Sequence, residues 1–206
     1  MTPVESWMKV FFGDAYVITP ASEAELIAAF AGRPYSCIGQ SHSYNGIQVV
    51  PGITAFHMGK SAFRGAVYDP ATQTATCGPS VKVVELKQLL LKHGRRMLNS
   101  GNYMEQTVIG ALTGGTHGYG AEAVVAQAVT ALTFLDGKGQ KVSLQKGDAD
   151  LPYAALSFGT IGPILSVTLR TAPLESFQSD AWVTRLSKKA ALARGAIAVT
   201  AAFVPY

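Results

Sequence analysis

At 206 residues and 48% hydrophobic content, the chain has the size of one domain, or one domain with a short extra piece, and can bury a real core. Only 15% of its residues are charged and 21 are glycine, which excludes intrinsic disorder and points to tight turns or to backbone that approaches something closely. The net charge of +4 comes from scattered bases with no run of five, so a solvated face is expected at 92–96 and 185–194, and no nucleic-acid partner.

In chain order, Tyr16–Thr19 is expected as a strand. Ser22 followed by Glu25 has the form of a capping box, and the helix behind it, with Leu26, Ile27 and Phe30 on its apolar side, is expected to stop at Gly32. A strand at Tyr35–Ile38 runs directly into a polar loop bounded by glycines, residues 39–46. Ala66–Asp69 and Thr74–Cys77 read as two strands joined by residues 70–73. Val83–His93 has helical spacing through Val84, Leu86, Leu89 and Leu90, with Gly94 as its stop. From Gly101 to Gly120 six of twenty residues are glycine. Val129–Leu135 and Lys141–Leu144 flank Asp136-Gly137-Lys138-Gly139 as a hairpin, and Ile164–Thr171 is a further strand. A strand near 182–186 and a helix over 187–198 are expected at the end. This mixture is α+β and not a regular doubly wound sheet.

Cys37 and Cys77 each sit in an apolar run and are expected as buried free thiols, without disulfide or metal spacing. The N-terminus lacks a basic-then-apolar leader pattern and no apolar run reaches ~18 residues, so a cytoplasmic protein without a membrane segment is expected. His57 and His93 have no partner spacing and are expected at the surface or in packing. No His/Cys/Asp/Glu cluster has metal-ligand spacing, so no metal is expected.

Two segments carry the candidate chemistry. In Gly39-Gln40-Ser41-His42-Ser43-Tyr44-Asn45-Gly46 the glycines permit positive φ, and the small polar side chains leave consecutive backbone N–H groups open to an anion. In Thr107-Val108-Ile109-Gly110-Ala111-Leu112-Thr113-Gly114-Gly115-Thr116-His117-Gly118 the glycines allow backbone to approach a flat ring or a phosphate. The mild positive charge suits a diphosphate. A P-loop is excluded and no Rossmann fingerprint follows a strand. On these residues alone, each segment is either a ligand site or an ordinary structural loop.

Together the two segments resemble those of the vanillyl-alcohol-oxidase-type flavoproteins, with their PCMH-type FAD-binding domain, and within them the aldonolactone oxidase and alditol oxidase branch. Gly39 to Asn45 resembles that family's Gly-x-x-His-Ser-x-Asn loop, and Gly114-Gly115-Thr116-His117-Gly118-Tyr119-Gly120 its Gly-Thr-His-Gly-x-Gly ending. Thr19-Pro20-Ala21-Ser22, Asp136-Gly137 and Phe158-Gly159-Thr160-Ile161-Gly162-Pro163-Ile164 extend the match in order from about residue 7 to 173. The resemblance implies a PCMH-type FAD-binding domain over 1–175, built of two α/β subdomains with the cofactor between them. Residues 176–206 would be a strand-helix extension, at most the start of a substrate domain or a partner-docking piece.

It implies FAD contacts from Gly39, Gln40, Ser41, His42, Ser43, Tyr44 and Asn45, which wrap the pyrophosphate with backbone amides. Gly101, Asn102, Thr107, Gly110, Ala111, Gly114, Thr116, His117 and Gly118 follow from the second segment, and Ile161, Gly162 and Ile164 from the third. His42 maps onto the histidine that commonly bonds to the 8α-methyl of the flavin; the alternative is a noncovalent hydrogen-bond partner. No cysteine lies between Gly101 and Gly120, so a single attachment is implied. Gly101 maps onto a position that influences oxygen access and so favours an oxidase; a glycine needed by backbone conformation is the compatible alternative. His117 is implied to pack near the flavin.

Enzymes of this family run to about twice this length, and the base and substrate-recognising residues are not identifiable here. The expectation is the FAD-binding subunit of an oxidase acting on a CH–OH group and passing electrons to O2. A second protein chain would carry the substrate domain, because 196–206 is strongly apolar. A homodimer is the fallback. A non-enzymatic covalent-flavin electron carrier or regulatory flavin module is the alternative.

Overall fold

The computed structural model describes residues 1–30, 34–44, 46–50, 52–118 and 124–175. Among the described residues there are two sheets, and the first holds four strands in the order β1-β2-β4-β3. β1 (Thr2–Glu5) and β2 (Phe11–Ile18) form an antiparallel hairpin. Helix α1 (Glu23–Phe30) then carries the chain over to β3 (Tyr35–Ile38), as parallel strands require a crossover. β4 (Thr54–His57) inserts between β2 and β3, parallel to both, with Ile18 and Cys37 each opposite Phe56. The expected cap forms in part: Ser22 Oγ accepts from Glu25 N at 3.1 Å, while Glu25 Oε2 accepts from Ala21 N, one residue before the cap, at 2.7 Å.

The second sheet is antiparallel, in the order β5 (Ala66–Asp69), β6 (Thr74–Cys77), β10 (Ile164–Pro173), β8 (Val129–Leu135), β9 (Lys141–Gln145). β7 (Arg95–Met97) pairs with the far end of β10. Asp136 Oδ1 closes the β8–β9 turn by accepting from Lys138 N and Gln140 N, both at 2.8 Å. Helix α2 (Val83–Lys92) ends where expected, with Gly94 in the left-handed region at φ 63° and its N–H on Leu91 O. Its buried Leu86 and Leu90 join α3 (Val108–Thr113) and α4 (Leu151–Ala155) in the main core beneath this sheet.

Several elements differ from expectation. β1, β4, α3 and α4 are additional, and the glycine-rich stretch holds a helix where loop was expected. Thr107 explains α3: its Oγ1 accepts from Gly110 N at 3.1 Å, and Val108, Ala111 and Leu112 then bury against the main core. The expected pieces at 182–186 and 187–198 lie outside the described residues.

A separate cluster ties the sheets together. Leu26 and Phe30 of α1, Phe56 of β4 and Met58 pack with Leu135 of β8 and Leu165 of β10. Truncating Phe56 to alanine would cost about 3–5 kcal/mol, because neither sheet can close over the gap alone. Cys37 and Cys77 are free thiols that burial pushes up to about 12, so both stay neutral. His93 packs on Tyr68 at 4.8 Å between ring centroids. No helix among the described residues is long and apolar enough to cross a membrane.

His57 is half-buried, and its Nδ1 is enclosed without a hydrogen-bond partner among the described residues. Burial, helped by Lys60, lowers its pKa to about 4. The unfolded chain takes up this proton near 6.5 and the folded chain only near 4, so stability present above 6.5 is lost as pH falls through that window. Urea titrations between pH 7 and 4 should show this decline, and His57→Gln should flatten the part that His57 contributes.

Candidate functional site

β3 delivers the chain into the first polar loop at a point with no room for side chains. A Cβ on Gly39 would stand 2.9 Å from Thr107 Oγ1, so the loop begins against the cap of α3. On its other side lies a 3₁₀ turn, Met58–Lys60, that follows β4. There a Cβ on Gly59 would collide with the Gly39 carbonyl. Gln40 locks this approach, its Nε2 donating to Gly59 O at 3.0 Å. The loop is therefore gripped between the first sheet and the second segment.

Between these elements lies a cavity whose lining includes Cys37, Gly39, Met58, Thr107, Gly110 and Gly162. Pro79, Phe158 and Ile164 also face it, and among the described residues no charged side chain lines it. Gly162, at φ 139°, admits no other residue, because a Cβ would run into the Leu135 carbonyl. Ser157, next to the lining residue Phe158, has a buried Oγ without a partner among the described residues. Ser41 takes a left-handed φ of 55°. The backbone N–H groups of Ser41, His42 and Ser43 donate to no described residue. Three consecutive amides unclaimed by the fold, at a left-handed turn, are the makings of an anion cradle.

The other end of the loop is aromatic. The His42 ring lies 4.2 Å from that of Tyr103 and 5.4 Å from that of Trp7, and Trp7 and Tyr103 are themselves 5.4 Å apart. Burial lowers the pKa of His42; Glu105 pulls the other way and Lys82 adds to the lowering. Lys82 and Glu105 are paired at 2.7 Å. The imidazole is thus biased toward its neutral, nucleophilic form near neutral pH.

The structure brings Gly39, Thr107, Gly110, Gly162 and Ile164 around one cavity, while His42 sits among the aromatic rings. Tyr44 and Asn102 are exposed, and Asn45 lies outside the described residues. Ala111 is buried in the main core, so only its backbone is on offer. Gly114 ends α3, and Ile161 packs against the same core. A Cβ on Gly101 would be 2.7 Å from Thr116 Cγ2, and one on Gly118 would strike the Ser100 carbonyl. His117 is exposed and bridges to Val124.

Sequence reasoning missed Trp7, Tyr103, Met58 and Gly59. Tyr103 lies inside the glycine-rich stretch and was within reach. Trp7 belongs to no motif, and only the hairpin brings it to the loop.

The chain matches the family of the FAD binding domain over residues 15–145, and it belongs to that family. Its PCMH-type fold and its lactone-oxidising relatives agree with the resemblance read from the two loops. It is 30% identical to the L-gulono-1,4-lactone dehydrogenase of Mycobacterium tuberculosis, over 77% of this chain and 38% of that protein. It is also 30% identical to the L-gulonolactone oxidase of Mus musculus, over 77% of this chain and 37% of that one. The chain therefore spans under two fifths of these relatives. Cholesterol oxidase from Brevibacterium sterolicum shares the fold, with a TM-score of 0.73 at 17% identity over 83% of this chain and 37% of that one.

The residues present fit FAD. The cradle amides suit a diphosphate, among the described residues no carboxylate lines the cavity to repel it, and the backbone contacts keep side chains out. Gly59→Ala forces the turn off the Gly39 carbonyl and distorts the loop. FAD affinity should fall at least ~10-fold, about 1.4 kcal/mol, in a fluorescence-quenching titration.

Proposed function

We propose that this chain holds FAD in the cleft between its two sheets and bonds it through His42, as the flavin-bearing part of an oxidase acting on the CH–OH group of a hydroxylated small molecule. The observation that carries the proposal is the first loop itself: three amides at Ser41, His42 and Ser43 that no described residue claims, directly beside an imidazole whose pKa burial lowers. The names of the lactone-oxidising relatives support the substrate class.

In this reading Ser41, His42 and Ser43 donate their N–H groups to diphosphate oxygens. Gly39 and Gly59 bring bare backbone to the cofactor's edge, and Gly162 does the same from the second sheet. FAD, when bound, supplies acceptance of a hydride from a C–H bond and passage of two electrons onward. His42 would hold FAD by one bond from an imidazole nitrogen to the 8α carbon, the imidazole N–H hydrogen and one methyl hydrogen leaving with their electron pair to dioxygen as hydrogen peroxide.

Gly101 is the proposed oxygen-access position. The space beside it is bounded by Thr116 Cγ2, so alanine fits only if Thr116 moves. Substrate recognition and the base are assigned to polypeptide outside the described residues.

After acid precipitation of the purified protein, yellow colour should stay with the pellet, and His42→Ala should release it to the supernatant. Colour released from the wild type would remove the covalent bond from the proposal, and a protein without flavin would remove the proposal altogether. Separately, chemically reduced protein mixed with oxygenated buffer should reoxidise about 10-fold more slowly in Gly101→Ala, a barrier change near 1.4 kcal/mol.

A further inference from the structure

The β1–β2 hairpin has no task in the proposal above, yet its turn reaches His42. Ser6 builds that turn: its Oγ accepts from Met8 N at 3.2 Å and Val10 N at 3.0 Å, and its own N–H donates to Val10 O at 2.8 Å. Trp7, next in the turn, donates its N–H to Ser41 O at 3.0 Å. A main-chain bond therefore fixes Trp7 to the residue immediately before His42. From the opposite segment, Tyr103 brings its ring to 4.2 Å from the imidazole.

Neither ring is accounted for as core. Trp7 is 42% exposed and Tyr103 44%, and neither belongs to a buried cluster. What they do is bound an imidazole on a loop that otherwise ends in the exposed Ser43 and Tyr44. The rings are tilted by 37° and 49° to the imidazole, the offset arrangement that ring quadrupoles favour.

Resting on the reading of His42 as the attachment residue, we propose that Trp7 and Tyr103 are positioning residues: they hold the His42 imidazole in one orientation so that its nitrogen meets the 8α carbon of FAD. A loop histidine free to change rotamer spends most of its time pointing elsewhere, and fixing a nucleophile at near-attack geometry is a large source of rate. The same two rings keep water from the imidazole. The charged groups that act on it are Glu105 and Lys82, and neither is touched by changes at Trp7.

The test uses the 206-residue chain prepared free of flavin, mixed with FAD and sampled over time for acid-stable flavin, with noncovalent binding measured separately by fluorescence quenching. Trp7→Ala and Tyr103→Leu should each slow covalent incorporation at least ~10-fold while the Kd for FAD stays within about two-fold. Trp7→Phe should restore most of the rate. In Trp7→Ala the acid limb of the rate-pH profile should also move up toward the ordinary histidine value, since water regains the ring. Tyr103→Leu, at an exposed loop position, decides the matter where the hairpin variant does not fold. Wild-type rates in both variants, or a rate that falls only in step with FAD binding, would overturn the clamp and leave the His42 bond standing. A wild-type protein that never acquires acid-stable flavin would overturn both.

Discussion

Between Gly59 and Gly39 two stretches of backbone meet with no side chain between them, and the site depends on that approach. It sets the end of β4 against the end of β3, and Gln40 holds it by a hydrogen bond to the Gly59 carbonyl. From there the loop at Ser41–Ser43 takes a shape that leaves its amides unclaimed. A single methyl group at the contact would separate the pieces, because carbonyl oxygens and bonded main chain cannot yield as the tip of a flexible side chain can. The opposite wall meets the same limit at Gly162, pressed against the Leu135 carbonyl.

This contact holds only because the sheets cannot slide. Leu26, Phe30, Phe56 and Met58 from the first share one buried cluster with Leu135 and Leu165 from the second. Apolar surface from both layers leaves water together, so the cleft is placed by the core and not by the loops that line it. Loops positioned by such a scaffold can afford unpaired backbone donors at one place, where a ligand satisfies them.

The two ends of the loop differ in physical character. At the cavity end, among the described residues, the lining is neutral, and the amides of Ser41–Ser43 that follow suit a polyanion. At the His42 end the lining is aromatic, and burial lowers the pKa of the imidazole. A ligand with a charged diphosphate and a flat ring system presents the same pair of requirements along its length.

Much of this was legible before folding. Strands at Tyr35–Ile38, Ala66–Asp69, Thr74–Cys77 and Val129–Leu135 follow from apolar runs between turn residues, and the cap at Ser22 and Glu25 from a local hydrogen bond. The two candidate loops were legible because glycines and small polar residues at fixed offsets answer to a local backbone shape. α3 was hidden, since a glycine-rich run reads as loop until Val108, Ala111 and Leu112 find a core to bury in. β1 and β4 were hidden as well: both are ordered as strands by pairing with β2, which the sequence does not display. By itself, then, the sequence determined the local conformations and singled out the two loops proposed to hold the cofactor. The tertiary structure alone decided that Gly59 would face Gly39, that a hairpin some thirty-five residues away would bring Trp7 to His42, and that Tyr103 would meet the same ring. Those contacts are set by strand order and layer packing, which no local spacing encodes.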